Sequence, residues 1–366
     1  MLYYLAELDK LFGPLRLFYY VTFRAGGALF TALLISIILG PLTVMLLKKL
    51  STVAPSRLKG LVPDEHLDAD KEKTPSMGGV LIVFSITVST ILWANPSNMM
   101  ILAFLFTLLS LAAIGFLDDY TKIAKLKRDG ISGRLKLFLQ ISIAVAAVWF
   151  LTIVPGSGIG EGEVMLPFYK NPVLVQLPLW IILGFAALVV VGSSNAVNLT
   201  DGKDGLAVGC SIFCSLTYAI FAYMCGHKIF AGYLSIPFIP GASEVTVFAA
   251  AITGACIGFL WFNCHPASMF MGDTGSLSLG GSIGLIAVLV KQELVLILVG
   301  GVFVIEAVSV IIQVTSFKLF KKRVFLMTPI HHHFEKKGWT ETQIVVRFWI
   351  ISGIFALLGL ATLKIR

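Results

Sequence analysis

The chain has 366 residues, 57% of them hydrophobic and 13% charged, with a net charge of +8 and a mean hydropathy of +0.91. Soluble domains carry about 25% charged residues, and 28 basic plus 20 acidic side chains are too few to coat a soluble protein of this length. The composition excludes a soluble enzyme, a disordered chain and a fibrous repeat. Continuous rather than alternating apolar runs exclude a porin-type barrel.

The pattern therefore predicts an all-α integral membrane protein, a single polytopic domain over 1–366. An aromatic, charge-interrupted start (Phe12, Phe18, Tyr19, Tyr20, Phe23, with Glu7, Asp9, Lys10 and Arg16) reads as an interfacial segment, not a cleavable signal. About ten transmembrane helices follow, near 26–47, 77–94, 99–117, 137–154, 173–194, 205–224, 245–263, 277–291, 294–315 and 345–363. The eighth is short and glycine-rich, and 229–240 reads as a re-entrant or interfacial piece.

Twenty of the 28 Lys and Arg residues fall in the odd-numbered loops or at their ends, with six in loop 1–2, six in loop 3–4 and seven in loop 9–10. Basic residues mark cytoplasmic loops. Those loops are thus expected in the cytoplasm and both termini in the periplasm, and the charge signals a membrane face, not nucleic acid. The five cysteines form no CxxC pair and read as small apolar residues.

The unusual polar motifs all belong to the same face. They are Lys73-Thr74-Pro75-Ser76-Met77-Gly78-Gly79, Asp118-Asp119-Tyr120, Asn195 to Gly205, Phe270-Met271-Gly272-Asp273-Thr274-Gly275-Ser276 and Pro329-Ile330-His331-His332-His333. Asp118 and Asp119 close an apolar helix. Adjacent helical residues point about 100° apart, so one can bind metal while the other accepts a proton. Asp201, Asp204 and Asp273 sit among glycines, which bend the backbone and free N–H groups for an anion. Five carboxylates beside Thr200, Thr274 and Ser276 are a hard oxygen set suited to Mg²⁺. With Lys73, Lys122, Lys125 and Lys203 nearby, they point to a phosphate or diphosphate substrate.

Three consecutive histidines lack the i, i+3 or i, i+4 spacing of helical zinc ligands. After Pro329 they read as a loop that handles phosphate or protons. Glu306, inside the ninth helix, shares a face with Ser309 and Gln313 that points toward the histidines, and an intramembrane carboxylate is a site candidate.

All these motifs, in order and over essentially the whole chain, resemble the bacterial phospho-N-acetylmuramoyl-pentapeptide transferase family. It is part of the polyprenyl-phosphate N-acetylhexosamine-1-phosphate transferase superfamily. The resemblance also takes in Tyr20-Val21-Thr22-Phe23-Arg24 and Arg347-Phe348-Trp349-Ile350. It implies a ten-helix, usually dimeric inner-membrane enzyme with a cytoplasmic active site. Such an enzyme moves phospho-MurNAc-pentapeptide from UDP-MurNAc-pentapeptide to undecaprenyl phosphate, giving lipid I and UMP with Mg²⁺.

Position by position, the resemblance implies Asp273 as principal metal ligand and a catalytic residue, with Asp118 and Asp119 as catalytic residues and further metal ligands. Asn198, Asp201, Gly202 and Phe270 would hold uridine. Lys73, Thr74, Lys122 and Lys125 would hold phosphates or nucleotide. Glu306, by its place in the membrane and not by the resemblance, is expected as a further substrate contact. His331, His332 and His333 would be catalytic, lying near the diphosphate and sugar. Lys203 and Cys264-His265 depart from the family pattern; Lys203 either adds a cation to the nucleotide site or faces solvent.

Overall fold

The computed structural model describes residues 1–50, 74–124 and 130–365. Among them, nine helices are long and apolar enough to cross a membrane. These are α1 (Val21–Lys49), α3 (Met99–Ala124), α4 (Gly133–Ile153), α5 (Leu179–Thr200), α6 (Leu206–Cys225), α8 (Ser243–Asn263), α9 (Gly272–Leu289), α11 (Gly301–Phe320) and α13 (Glu341–Ala361). Four shorter helices complete the set: apolar α2 (Gly79–Trp93), α7 (Lys228–Leu234), α10 (Val295–Val299) and α12 (Ile330–Lys336). Val164 and Leu174 form an isolated bridge. The chain is a multi-pass membrane protein.

Several boundaries differ from expectation. The ninth span breaks at Gly300 into α10 and α11. The 229–240 piece contains the short helix α7. The motifs read as loops are largely helical: α3 runs past Asp118 and Asp119, α5 runs to Thr200, and α9 begins at Gly272. Hydropathy alone ends a span at its first polar residue. A helix continues as long as its carbonyls find partners.

The weakest predicted span, α9, is the centre of the protein. Every residue from Asp273 to Leu289 is buried. Lipid supplies no hydrophobic drive between helices, so close backbone approach must come from small side chains. A Cβ at Gly280 would stand 2.4 Å from the Ser193 carbonyl of α5, and one at Gly275 would stand 2.8 Å from the Gly79 Cα of α2. Hydroxyls bond across the seam: Ser193 Oγ donates to the Gly280 carbonyl at 2.8 Å and Ser194 Oγ to that of Leu277 at 2.9 Å. The same device joins α1 and α8, where a Cβ at Gly254 would meet the Leu29 carbonyl at 2.0 Å.

The opposite end of the bundle is pinned by ion pairs. Arg24, 1% exposed, makes a two-pronged contact with Glu244, both distances 2.5 Å. Glu244 also accepts the Asn95 N–H at 2.9 Å. Lys291 is buried between Glu161 (2.6 Å) and Glu163 (2.9 Å). Nearby Glu293 is pushed up to about 8 by burial.

Removing one partner of a buried pair strands a charge at a cost of roughly 3–5 kcal/mol, whereas removing both is far cheaper. Glu244→Gln is therefore expected to lower the melting temperature in detergent markedly, and the double variant Arg24→Met/Glu244→Leu to restore much of it. Equal melting of Glu244→Gln and the unmodified protein would count against this pin.

Candidate functional site

At the other end of the bundle, the end of α3, the start of α4, the end of α5 and the start of α9 bring three carboxylates together. Asp118, Asp119 and Asp273 are all buried, and each offers an oxygen within 4.8 Å of the others. Gly115 makes this possible. A Cβ there would lie 2.3 Å from the Asp273 carbonyl oxygen, so only glycine lets α3 touch the first turn of α9. Gly272 enters α9 with φ +73°, and a Cβ there would press on Asp119.

The adjacent aspartates take different partners, as their 100° offset requires. Asp119 caps α9 from outside its own helix. Its Oδ1 accepts the Asp273 N–H at 3.2 Å, and its Oδ2 accepts the Thr274 N–H at 3.0 Å and the Thr274 hydroxyl at 2.9 Å. A carboxylate at a helix N-terminus is favoured by the free N–H groups and by the dipole. Asp118 accepts the Ile131 N–H at 2.9 Å and pairs with Lys122 at 2.5 Å.

Asp273 receives three side-chain donors: Lys122 Nζ at 3.0 Å, Lys136 Nζ at 2.7 Å and Asn198 Nδ2 at 2.8 Å. Asn198 donates to Ser276 Oγ as well, also at 2.8 Å. Asn198 is thus committed to orienting Asp273. Sequence reasoning missed Lys136, which it counted only toward loop charge. Its one signal is its position in the first turn of α4, soon after Asp118-Asp119 in the chain.

A backbone clip lays the Pro75–Gly79 segment against Phe270 and Met271. Phe270 N–H donates to the Pro75 carbonyl (2.9 Å), Gly78 N–H to that of Phe270 and Gly79 N–H to that of Met271 (both 2.8 Å). Thr74 is half-buried beside it, its hydroxyl 3.4 Å from the Ala267 carbonyl. Phe270 is half-buried. Lys73 and Lys125 lie outside the described residues.

Asp201 and Gly202 sit in the turn between α5 and α6. Lys203, which the sequence left between the nucleotide site and solvent, instead pairs with Glu335 of α12 at 2.6 Å and lies 3.9 Å from Glu341. His265 Nδ1 stands 3.1 Å from Asp204, whose backbone N–H donates to Glu341 at 3.0 Å. These contacts tie the start of α13 to two loops.

The triple histidine is helical, which corrects the expectation of a loop. Pro329 occupies the cap position and α12 begins immediately after it; proline is compatible with a helix start because the first N–H groups have no partner in the helix anyway. The three rings diverge. His331 is fully buried against Glu306, with Nδ1 and Oε2 3.1 Å apart. His332 Nδ1 meets Glu335 at 2.8 Å, and His333 Nδ1 accepts the Leu326 N–H at 3.1 Å. Glu306 is therefore an interior group joined to α12. Gln313 holds the chain after α11, accepting the Val324 and Phe325 N–H groups at 3.0 and 2.9 Å.

Hydrogen bonding from His332, with help from Lys203, holds the Glu335 carboxyl down at about 2. His332 is also lowered, because burial outweighs the neighbouring carboxylate. A depressed carboxyl stabilises the fold above its ordinary 4.5 and loses that contribution as pH falls toward 2. The melting-temperature gap between the unmodified protein and Glu335→Gln is thus expected to be full above pH 4.5 and to close toward pH 2. A gap that widens with acid would contradict the pairing.

A family model described as Glycosyl transferase family 4 matches residues 101–291, and a phospho-N-acetylmuramoyl-pentapeptide-transferase signature matches residues 71–83. Two curated relatives, each named phospho-N-acetylmuramoyl-pentapeptide-transferase, align over the full length of both chains. The protein from Methylacidiphilum infernorum is 47% identical over 367 residues, and that from Desulfotalea psychrophila 48% over 369.

Proposed function

The chain belongs to the phospho-N-acetylmuramoyl-pentapeptide-transferase family, and on that premise we propose that it moves phospho-MurNAc-pentapeptide from UDP-MurNAc-pentapeptide to undecaprenyl phosphate, releasing UMP and forming lipid I. Its place is the bacterial inner membrane. In this reading the site faces the cytoplasm, both termini are periplasmic and the enzyme works as a homodimer. The observation that carries the chemistry is the buried cluster of Asp118, Asp119 and Asp273 with Lys122 and Lys136.

The donor set fits Mg²⁺, since all three groups are carboxylates and their oxygens already converge. Asp273 and Asp118 would hold the ion, with Asp119 close by but engaged in capping α9. When bound, Mg²⁺ would supply charge neutralisation at a diphosphate. Asn198 fixes the Asp273 carboxylate from the side. Lys122 and Lys136, now on carboxylates, are placed to turn to substrate phosphates.

A lipid phosphate is already an oxyanion and needs little activation, so the protein's task is to align it with the UDP-linked phosphorus and offset charge. The turn at Asp201 and Gly202, together with Phe270 and Thr74, would form the uridine side, where the Phe270 ring can stack on the base. An apolar cavity of about 390 Å³ between α11, α12 and α13, lined by Val302, Ile305, Ile330, Phe334, Trp339 and Arg347, suits part of a prenyl chain.

The reading is tested by incubating purified protein with UDP-MurNAc-pentapeptide, undecaprenyl phosphate and Mg²⁺ and measuring UMP. Release of UMP with lipid I is expected. Turnover of UDP-GlcNAc in its place would select a sibling activity. Asp273→Asn is expected to lower the rate at least about 100-fold while the protein stays folded, as loss of a principal charged group at a transfer site does. Unchanged Mg²⁺-dependent turnover in that variant would remove Asp273 from the metal site.

A further inference from the structure

Glu306 lies in the interior of a membrane-spanning helix with no exposed surface, and its neighbour His331, in the short helix α12, is equally buried. Both have buried polar atoms without a hydrogen-bond partner: Glu306 Oε1 and the two ring nitrogens of His331. The remaining contacts converge on a single carboxylate oxygen. Glu306 Oε2 stands 3.1 Å from His331 Nδ1, within reach though not aligned for a hydrogen bond until the ring turns slightly, and accepts the His331 backbone N–H at 3.5 Å. Ser309 does not relieve the carboxylate, because its hydroxyl bonds the Glu306 carbonyl at 2.7 Å. A buried carboxylate is tolerated only when something compensates it, and among the described residues the imidazole is the group in reach.

The far edge of the same ring meets the turn between α5 and α6. A Cβ at Gly202 would come within 2.5 Å of His331 Nε2, so the imidazole is wedged between the α11 carboxylate and that turn. The turn has a second tether to α12 through Lys203 and Glu335. It carries Asp201 on one side of Gly202 and Asp204 two residues beyond it.

We propose that Glu306 is a positioning residue: it fixes the His331 ring through Nδ1, and the ring in turn sets the Gly202 turn and hence Asp201. A carboxylate on one imidazole nitrogen selects the tautomer and orientation of the ring. Glu306, buried within the membrane-embedded helix, thus acts on the nucleotide side of the site only through the His331 ring. The consequence for turnover rests on the transferase reading; the ring geometry does not.

The test has two parts. In the first, ¹⁵N-histidine spectra of the protein in detergent are recorded, with the His331 signals assigned by their loss in His331→Asn. Nδ1 is expected to carry a proton in the unmodified protein, and Glu306→Gln is expected to move these signals toward the tautomer mixture of free imidazole. Nδ1 without a proton, or signals unmoved by Glu306→Gln, overturns the proposal, and the first of these needs no variant to fold.

In the second part, Glu306→Gln is expected to raise KM for UDP-MurNAc-pentapeptide about tenfold, the lower range for groups that act through an orienting partner, with a smaller change in kcat. Glu306→Gln added to His331→Asn is expected to cost nothing further. Losses that multiply overturn the proposal. Absence of UMP release from the unmodified protein would instead overturn the transferase reading and leave the spectra to decide the positioning role.

Discussion

The site depends on one close approach, that of α3 to the first turn of α9. Gly115 removes the side chain that would keep the helices apart, and Asp119 then reaches across to the free N–H groups of Asp273 and Thr274. That bond caps α9 and holds Asp273 beside Asp118. Three carboxylates would ordinarily repel one another. Here the α9 amides, Lys122, Lys136 and Asn198 each compensate part of the charge. The cluster is thus stabilised by the same contacts that start the central helix.

The two ends of the bundle solve the problem of buried charge differently. At the Arg24 end the charges form separate closed sets, the Arg24–Glu244 pair and Lys291 between Glu161 and Glu163. At the Asp273 end, three carboxylates share two lysines, and the lysines bridge more than one acid. Closed sets lock helices. Shared cations can re-pair, which suits the proposed role of receiving a substrate phosphate.

The helix α12 illustrates how a run of identical residues is given separate roles. At about 100° per residue, three successive histidines cannot face one ligand. His331 turns into the bundle toward Glu306, His332 toward Glu335, and His333 toward the chain after α11. The corner between α11 and α13 is held by these contacts and by Gln313, and it borders both the Gly202 turn and the apolar cavity.

Much was legible in the sequence. Long apolar runs must become helices in a membrane, because every backbone group there needs a partner within the segment. The polar motifs mark themselves by interrupting those runs, which is why Asp118, Asp119, Asp273, Glu306 and the histidines could be named. What the sequence could not decide was where helices end, which residues meet and which lysines matter. Lys136 looks like any loop cation until α4 is placed against α9. The eighth span, expected at 277–291, looked weakest because it is short and glycine-rich, yet its small side chains let its neighbours close around it. Composition records what each segment prefers on its own. Only the packing of segments shows that Gly115, Gly202 and Gly275 are places where another backbone or ring must fit.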